Sequence, residues 1–202
     1  MKSWFRQIGA GLRALLVLTA ILGIAYPLVM TGFSQVAFHE KANGSLIDRN
    51  GNPTTDPKKA VGSQLLGQNF DGDQWFHPRP SAAGDNGYDG LASGASNLGP
   101  NSPELKKRIA ALKVTIAKVE HVAPSAIPPD ALTASGSGLD PDISPAYAAI
   151  QVNRVARENH EDTATVRRLV RAATSGRDAG FIGAPHVNVL KLNIAVEKLA
   201  RG

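Results

Sequence analysis

Residues Ala14 to Phe38, ALLVLTAILGIAYPLVMTGFSQVAF, form an uncharged stretch of 25 residues that starts after only 13 others. A helix needs roughly 20 mostly apolar residues to cross a hydrocarbon core about 30 Å thick. This run is long enough, and nothing else in the chain comes close. The chain is therefore expected to cross a membrane once, near its start. Everything after about Ser34 is expected to form one extramembrane block.

The preceding residues, MKSWFRQIGAGLR, carry Lys2, Arg6 and Arg13 and no acid. Lys and Arg collect on cytoplasmic flanks, so the N-terminus is expected inside and the bulk of the chain outside. Trp4 and Phe5 suit the headgroup layer. The expected division is a cytoplasmic tail over 1–11, a membrane helix over 12–34 and one periplasmic domain over 35–202. Leu15, Leu18, Gly23 and Pro27 mark the anchor. Gly23 and Ala20 are small enough for close helix contact, and Pro27 removes one backbone donor, which a neighbouring helix or side chain can compensate. A cleaved signal peptide has a shorter apolar core and small residues before its cut. This run is too long, and a cut after Ala37 would place Gln35 at the third position back.

The net charge of +5 is partly a topology signal. Three basic residues sit in the acid-free tail, and the remainder holds 19 basic against 17 acidic residues. That balance leaves no nucleic-acid footprint. Cysteine is absent, and aromatics make up 5% of the chain. Abundant Gly, Ser, Pro and Ala point to long ordered loops between short elements, in an α+β or α/β domain.

SLIDRNG reads as a strand entering an Asn50-Gly51 turn, and VGSQLLGQNF (61–70) as a short strand. Residues 71–101 lack periodicity and read as a loop, which the embedded WFHPRP makes an ordered one. Ser102-Pro103-Glu104 opens a helix with a cap, a first-turn proline and an acid at the positive end. Leu105, Ile109, Leu112, Ile116 and Val119 give it a 3.6-residue period. Ser144-Pro145 opens a second helix to about Glu158, and a third spans about Thr163–Thr174. VNVLKL (187–192) alternates as a strand does, before a short last helix through Leu192, Val196 and Leu199. ASGASNLGPNSP (92–103) and ASGSGLDPDISP (134–145) echo each other, each ending in a Ser-Pro helix start.

No phosphate-binding G-x-x-x-x-G-K, no G-x-S-x-G elbow and no H-E-x-x-H occurs, and the five histidines are scattered. Asp140 and Asp142 flank Pro141 and are explained equally well by turn formation. Arg167, Arg168 and Arg171 share one helix and read as a solvated face.

Three segments together carry a resemblance: WFHPRPSAAGDNGYDGLASGASNLGPNSPEL (75–105), PPDALTASGSGLDPDISPAYAAIQVNRVA (128–156) and GFIGAPHVNVLKLNIAV (180–196). With the anchor and the chain length, they resemble the KdpC family, the C subunit of the bacterial Kdp potassium-transporting P-type ATPase. The resemblance covers almost the whole chain. It departs at Ala184 and Lys191, where many relatives carry an acid, and at Trp75, where tyrosine is commoner.

The resemblance implies a complex of the bacterial inner membrane. A channel-like subunit selects K+, a second subunit hydrolyses ATP with Mg2+, and this chain is a non-catalytic accessory with no cofactor of its own. The family is described as a catalytic chaperone that raises nucleotide affinity, and Gln151 matches the glutamine linked to that idea. The orientation argument instead places residues 35–202 away from ATP, where they would cap the potassium entrance and lock the subunits together. Candidates to face a partner or an ion are His77, Arg79, Ser81, Asn97, Ser135, Ser137, Asp140 and Asn188. The rival reading is a membrane-anchored periplasmic hydrolase using Ser135 or Ser137 with His77.

Overall fold

Pro27 has no amide hydrogen, and its ring crowds the carbonyl four residues back. The backbone accommodates it by widening the turn just ahead of it. The computed structural model describes residues 2–201. Helix α1 (Lys2–Leu18) runs into a π-helical stretch, Thr19–Ala25, and on into α2 (Tyr26–Ala37). The Tyr26 N–H reaches the Ile21 carbonyl, five residues back. Such a bulge is a recognised way to take up a residue that cannot donate.

The continuous helix Ser3–Ala37 has a mean hydropathy of 2.2 over its most apolar window, none of which is buried. It is long and apolar enough to cross a membrane, and it continues past residues 12–34 in both directions. A short helix, α3 (His39–Ala42), follows. Asn43 Nδ2 donates to Gln35 Oε1 at 3.0 Å and to the His39 carbonyl at 2.6 Å, joining α2 to the end of α3. This first unit ends at Ser45.

The second unit begins at Leu46. Strands β1 (Leu46–Asp48) and β2 (Ala60–Ser63) pair antiparallel, with Leu46 opposite Ser63. The Asp48 carboxylate accepts the N–H groups of Asn50 and Asn52, each at 2.8 Å, and so fixes the expected turn at Gly51. The strand expected over 61–70 stops at Ser63, whose hydroxyl accepts the Leu65 N–H and starts a turn. Residues 64–102 then contain no regular element, as expected for a long ordered loop.

Helix α4 (Pro103–Glu120) is capped by Ser102, whose hydroxyl accepts the Leu105 N–H. Strand β3 (Asp142–Ile143) precedes α5 (Pro145–Glu158), where Ser144 does the same for Tyr147. Helix α6 (Thr163–Ala173), β4 (Thr174–Ser175), β5 (His186–Asn188) and α7 (Val189–Arg201) complete the unit. The second sheet is antiparallel with order β3-β5-β4. Helices and small antiparallel sheets therefore make up the domain, behind one long apolar N-terminal helix.

The expected strand over 187–192 is corrected to three residues. Asn188 Oδ1 accepts the Lys191 N–H at 3.2 Å, which caps a helix and ends the strand. Val189, Leu190, Leu192, Asn193, Ile194 and Val196 are then buried on a helical rather than an alternating pattern. The apolar core joins α5, α6, β5 and α7, with Val152, Val155, Val166, Val187 and Leu192 almost wholly buried. Phe76, from the long loop, is 0% exposed within that core. Burying one such ring is worth about 1.5–3 kcal/mol, which pins the loop to the helices.

Candidate functional site

Arg154 points from α5 into the interior with 2% of its surface exposed. A guanidinium placed there needs a carboxylate and further acceptors. Its Nε donates to both oxygens of Glu120, at the end of α4, at 3.0 and 3.1 Å. Its Nη1 donates to the carbonyls of Asp73 and Trp75, and its Nη2 to Gln151 Oε1 at 2.9 Å. One side chain thus joins α4, α5 and the long loop.

Gln151 is fully buried. Its Oε1 accepts the His77 N–H at 2.7 Å, and its Nε2 donates to the His77 carbonyl at 3.1 Å. Asn193, on α7, holds Phe76 in the same way, at 2.8 and 2.9 Å. Two buried amides therefore clasp two consecutive residues of a segment that has no strand neighbour to satisfy them. The His77 ring donates from Nε2 to the Gly72 carbonyl at 3.1 Å. Burial, and then the charge of Arg154, lower its pKa from the ordinary histidine value.

Beyond the clasp, the loop carries Arg79 and Ser81. The Ser81 hydroxyl donates to the Gly138 carbonyl at 2.6 Å and accepts the Tyr88 N–H at 2.8 Å. Tyr88 sits in the left-handed region at φ 58°, and its hydroxyl donates to the Arg79 carbonyl. Burial pushes that hydroxyl's pKa up to about 12. The Gly94 N–H and the Ser93 hydroxyl both donate to the Ser137 carbonyl, at 2.9 and 3.0 Å. The two echoed segments therefore meet each other in space. Gly67 joins them by donating to the Leu139 carbonyl at 2.7 Å.

Arg79 pairs with Asp140 at 2.7 Å. The other Asp140 oxygen accepts the Asp142 N–H at 3.0 Å. Asp142 in turn accepts from Asn188 Nδ2 at 3.1 Å, and that amide also donates to the Gln64 carbonyl. Burial raises the Asp142 pKa, with His186 opposing. Arg79, Asp130, Asp140, Asp142, Ala184 and His186 are among the residues lining an open cleft of about 320 Å3. Among the described residues, no group of three or more His, Asp or Glu side chains is arranged to hold a metal ion.

Seven of the eight loop candidates, together with Gln151, lie in this connected lattice of hydrogen bonds. Asn97 lies outside it, exposed at φ 53°. Ser135 Oγ lies 3.5 Å from Ser137 Oγ, which accepts the Leu139 N–H. Neither serine bonds a histidine among the described residues, so the Ser–His pairing of a hydrolase is not formed. Leu15, Leu18, Gly23 and Pro27 lie along the exposed apolar helix. Lys191 is exposed on α7, and Ala184 is on the cleft wall. Sequence reasoning missed Arg154, Glu120, Asn193 and Tyr88. The signal for Arg154 was available, since it falls on the apolar face of α5 beside Gln151.

The sequence model of one family, described as KdpC, the K+-transporting ATPase c chain, matches residues 8–198. A potassium-transporting ATPase KdpC subunit of Kineococcus radiotolerans is 48% identical over 200 residues, covering 99% of this chain and 97% of that one. Those of Gemmatimonas aurantiaca and Paraburkholderia xenovorans are 50% and 45% identical over 193 and 206 residues, covering 94% and 100% of this chain and 93% and 100% of theirs. With a family match over almost its whole length and relatives alike from end to end, the chain belongs to the KdpC family of potassium-transporting ATPase subunits.

Proposed function

We propose that this chain is a non-catalytic accessory subunit that spans the membrane once, N-terminus inside, and holds together the channel-like and ATP-hydrolysing subunits of its complex. In this reading residues 1–11 are the cytoplasmic tail, 12–34 the membrane helix and 35–202 the periplasmic domain. The 71–101 loop, anchored through residues 75–81 and stitched to the 134–140 loop, supplies the surface presented to the potassium-selecting subunit.

The observation that carries the reading is the double amide clasp. Both ends of Gln151 and of Asn193 hold loop backbone, and Ser81 and Arg79 are tied to Gly138 and Asp140. A loop so fully bonded is suited to presenting a fixed shape to a partner. Among the described residues neither Ser135 nor Ser137 bonds a histidine that could act as its base. The same geometry supports a positioning role for Gln151. Any influence it has on nucleotide affinity runs through the loop and the partner subunits, because its amide is buried and engaged.

The test is purification of the detergent-solubilised complex through a tag on this chain. Two larger membrane subunits co-purify, with potassium-stimulated ATP hydrolysis that is lost when the chain is omitted. A chain that purifies alone, and whose absence leaves pump activity unchanged, ends the reading. A C-terminal reporter active only in the periplasm supports the orientation, and one active only in the cytoplasm overturns it.

A further inference from the structure

Six of the ten arginines between Leu46 and Arg201 pair with a carboxylate: Arg49, Arg79, Arg108, Arg154, Arg157 and Arg201. The other four are consecutive in the chain. Arg167, Arg168 and Arg171 lie exposed on α6, and Arg177 follows β4. Among the described residues none of these four forms an ion pair, and the one side-chain bond is from Arg168 to the Thr165 hydroxyl. The opposite face of α6 is buried through Val166 and Val170. Immediately beyond Arg177, the turn closed by Asp178 and Ile182 exposes Phe181 at 73% and Ile182 at 55%. Unpaired cations followed by an exposed aromatic tip match an anionic headgroup layer above a hydrocarbon boundary.

Chain length argues for lipid as the occupant. The apolar helix ends at Ala37 and the second unit begins at Leu46. The eight intervening residues reach at most about 28 Å when fully extended. A folded unit of this size has a radius of gyration of about 15 Å. The tether therefore keeps the second unit within reach of the bilayer surface, at a high effective concentration.

We propose that α6 and the 176–184 turn form a second, electrostatic attachment of this chain to anionic phospholipid headgroups. The proposal rests on the N-terminal helix spanning the bilayer. It does not depend on the accessory role or on which side the domain occupies. The attachment fixes how the tethered domain stands over the membrane. Each arginine contributes a factor of about five to the ratio of docked to undocked domain. Salt weakens the contact because charges at such a surface are screened within about 10 Å at 0.1 M ionic strength.

The chain has no cysteine, so Ala179→Cys gives a unique site for an environment-sensitive fluorophore on the turn. The labelled full-length chain is reconstituted in nanodiscs of phosphatidylcholine, or of phosphatidylcholine mixed with phosphatidylglycerol. The expected result is blue-shifted emission in the anionic discs only, reversed by high salt. The shift is also lost in the triple variant Arg167→Gln, Arg168→Gln, Arg171→Gln, in which the docked ratio falls on the order of a hundredfold. Those three side chains hold no element in place, so circular dichroism of the variant stays unchanged. Identical emission in both lipids overturns the proposal. A shift that resists salt and survives the triple variant also overturns it, by making the apolar tip alone responsible. A shift that appears only when the partner subunits are present, whatever the lipid, assigns the patch to a protein and overturns it too. Failure of the chain to enter nanodiscs would refute the membrane-spanning helix itself, which is a separate result.

Discussion

Gln151 and His77 are bonded twice, through the two ends of one amide, at 2.7 and 3.1 Å. The arrangement satisfies a backbone N–H and a backbone carbonyl that would otherwise be stranded in the interior. Leaving such a group unpaired costs about 1–3 kcal/mol. Gln151→Leu is expected to destabilise the domain by about 4 kcal/mol, the middle of the range for two orphaned groups. Gln151→Glu keeps the acceptor for His77 N–H and gains attraction to Arg154, so its loss is smaller. Denaturation of the full chain in detergent, followed by Trp75 emission in a Trp4→Phe background, measures both. Equal stability of Gln151→Leu and the parent would show that the clasp is not holding the loop.

Arg154 and Glu120 form an almost dry ion pair, with 1% and 3% of their side chains exposed. Removing one partner from such a pair typically costs about 3–5 kcal/mol, because the other charge stays buried. Arg154→Met is expected in that range. Adding Glu120→Leu recovers part of the loss, since the stranded carboxylate is gone. Recovery stays incomplete because the Asp73 and Trp75 carbonyls still lack the guanidinium. A double-mutant cycle by chemical denaturation reads the coupling, and purely additive losses would contradict the pairing.

The helices were legible because local chemistry decides them. Ser102-Pro103 and Ser144-Pro145 carry cap and first turn in adjacent residues, and both helices begin there. The 187–192 segment was misread because an apolar run of that length satisfies a strand and a buried helix alike. Asn188 settles it by capping α7, a role visible only once Lys191 lies three residues away in helical register. The clasp was illegible for another reason. Gln151 and Asn193 recognise main chain at Phe76 and His77, and main chain leaves no trace in side-chain spacing. Arg154 was the exception, since a charge on an apolar helix face implies a buried partner, though not that Glu120 is it.

His77 makes stability depend on pH. Burial and Arg154 lower its folded pKa from 6.5, outweighing the Gly72 bond and the charges of Glu120 and Asp73. The unfolded chain then takes up its proton at a higher pH than the folded one. The contribution is full above about 6.5 and is lost as pH falls from there through the lowered folded value. Denaturation midpoints measured across that window should fall with acidification. The fall should be shallower in His77→Asn, whose backbone still meets Gln151. An equal slope in the variant would place the dependence on another group.

Gly136 and Gly138 are two residues apart in TASGSGL and are expected to respond oppositely to the same methyl group. A Cβ at Gly136 meets nothing within 4 Å, and its φ is not positive. Gly136→Ala is therefore expected to be neutral, or stabilising by up to about 1 kcal/mol through the unfolded chain. Gly138 lies at φ +69°, and a Cβ there would stand 2.6 Å from the Gly94 carbonyl oxygen and 2.7 Å from the Ala83 nitrogen. Both obstacles are backbone, so relief requires the 83–94 loop to move away from residues 137–138. That movement breaks the Gly94–Ser137 bond and pulls on Ser81, whose hydroxyl holds the Gly138 carbonyl. Gly138→Ala is expected to cost more than about 2 kcal/mol, at the level of an overpacked and strained site. It should also make the 71–101 loop sensitive to limited proteolysis while α5 to α7 stay resistant. Resistance equal to that of Gly136→Ala would mean that the two echoed loops do not depend on their contact, and the rigid presenting surface would lose its physical basis.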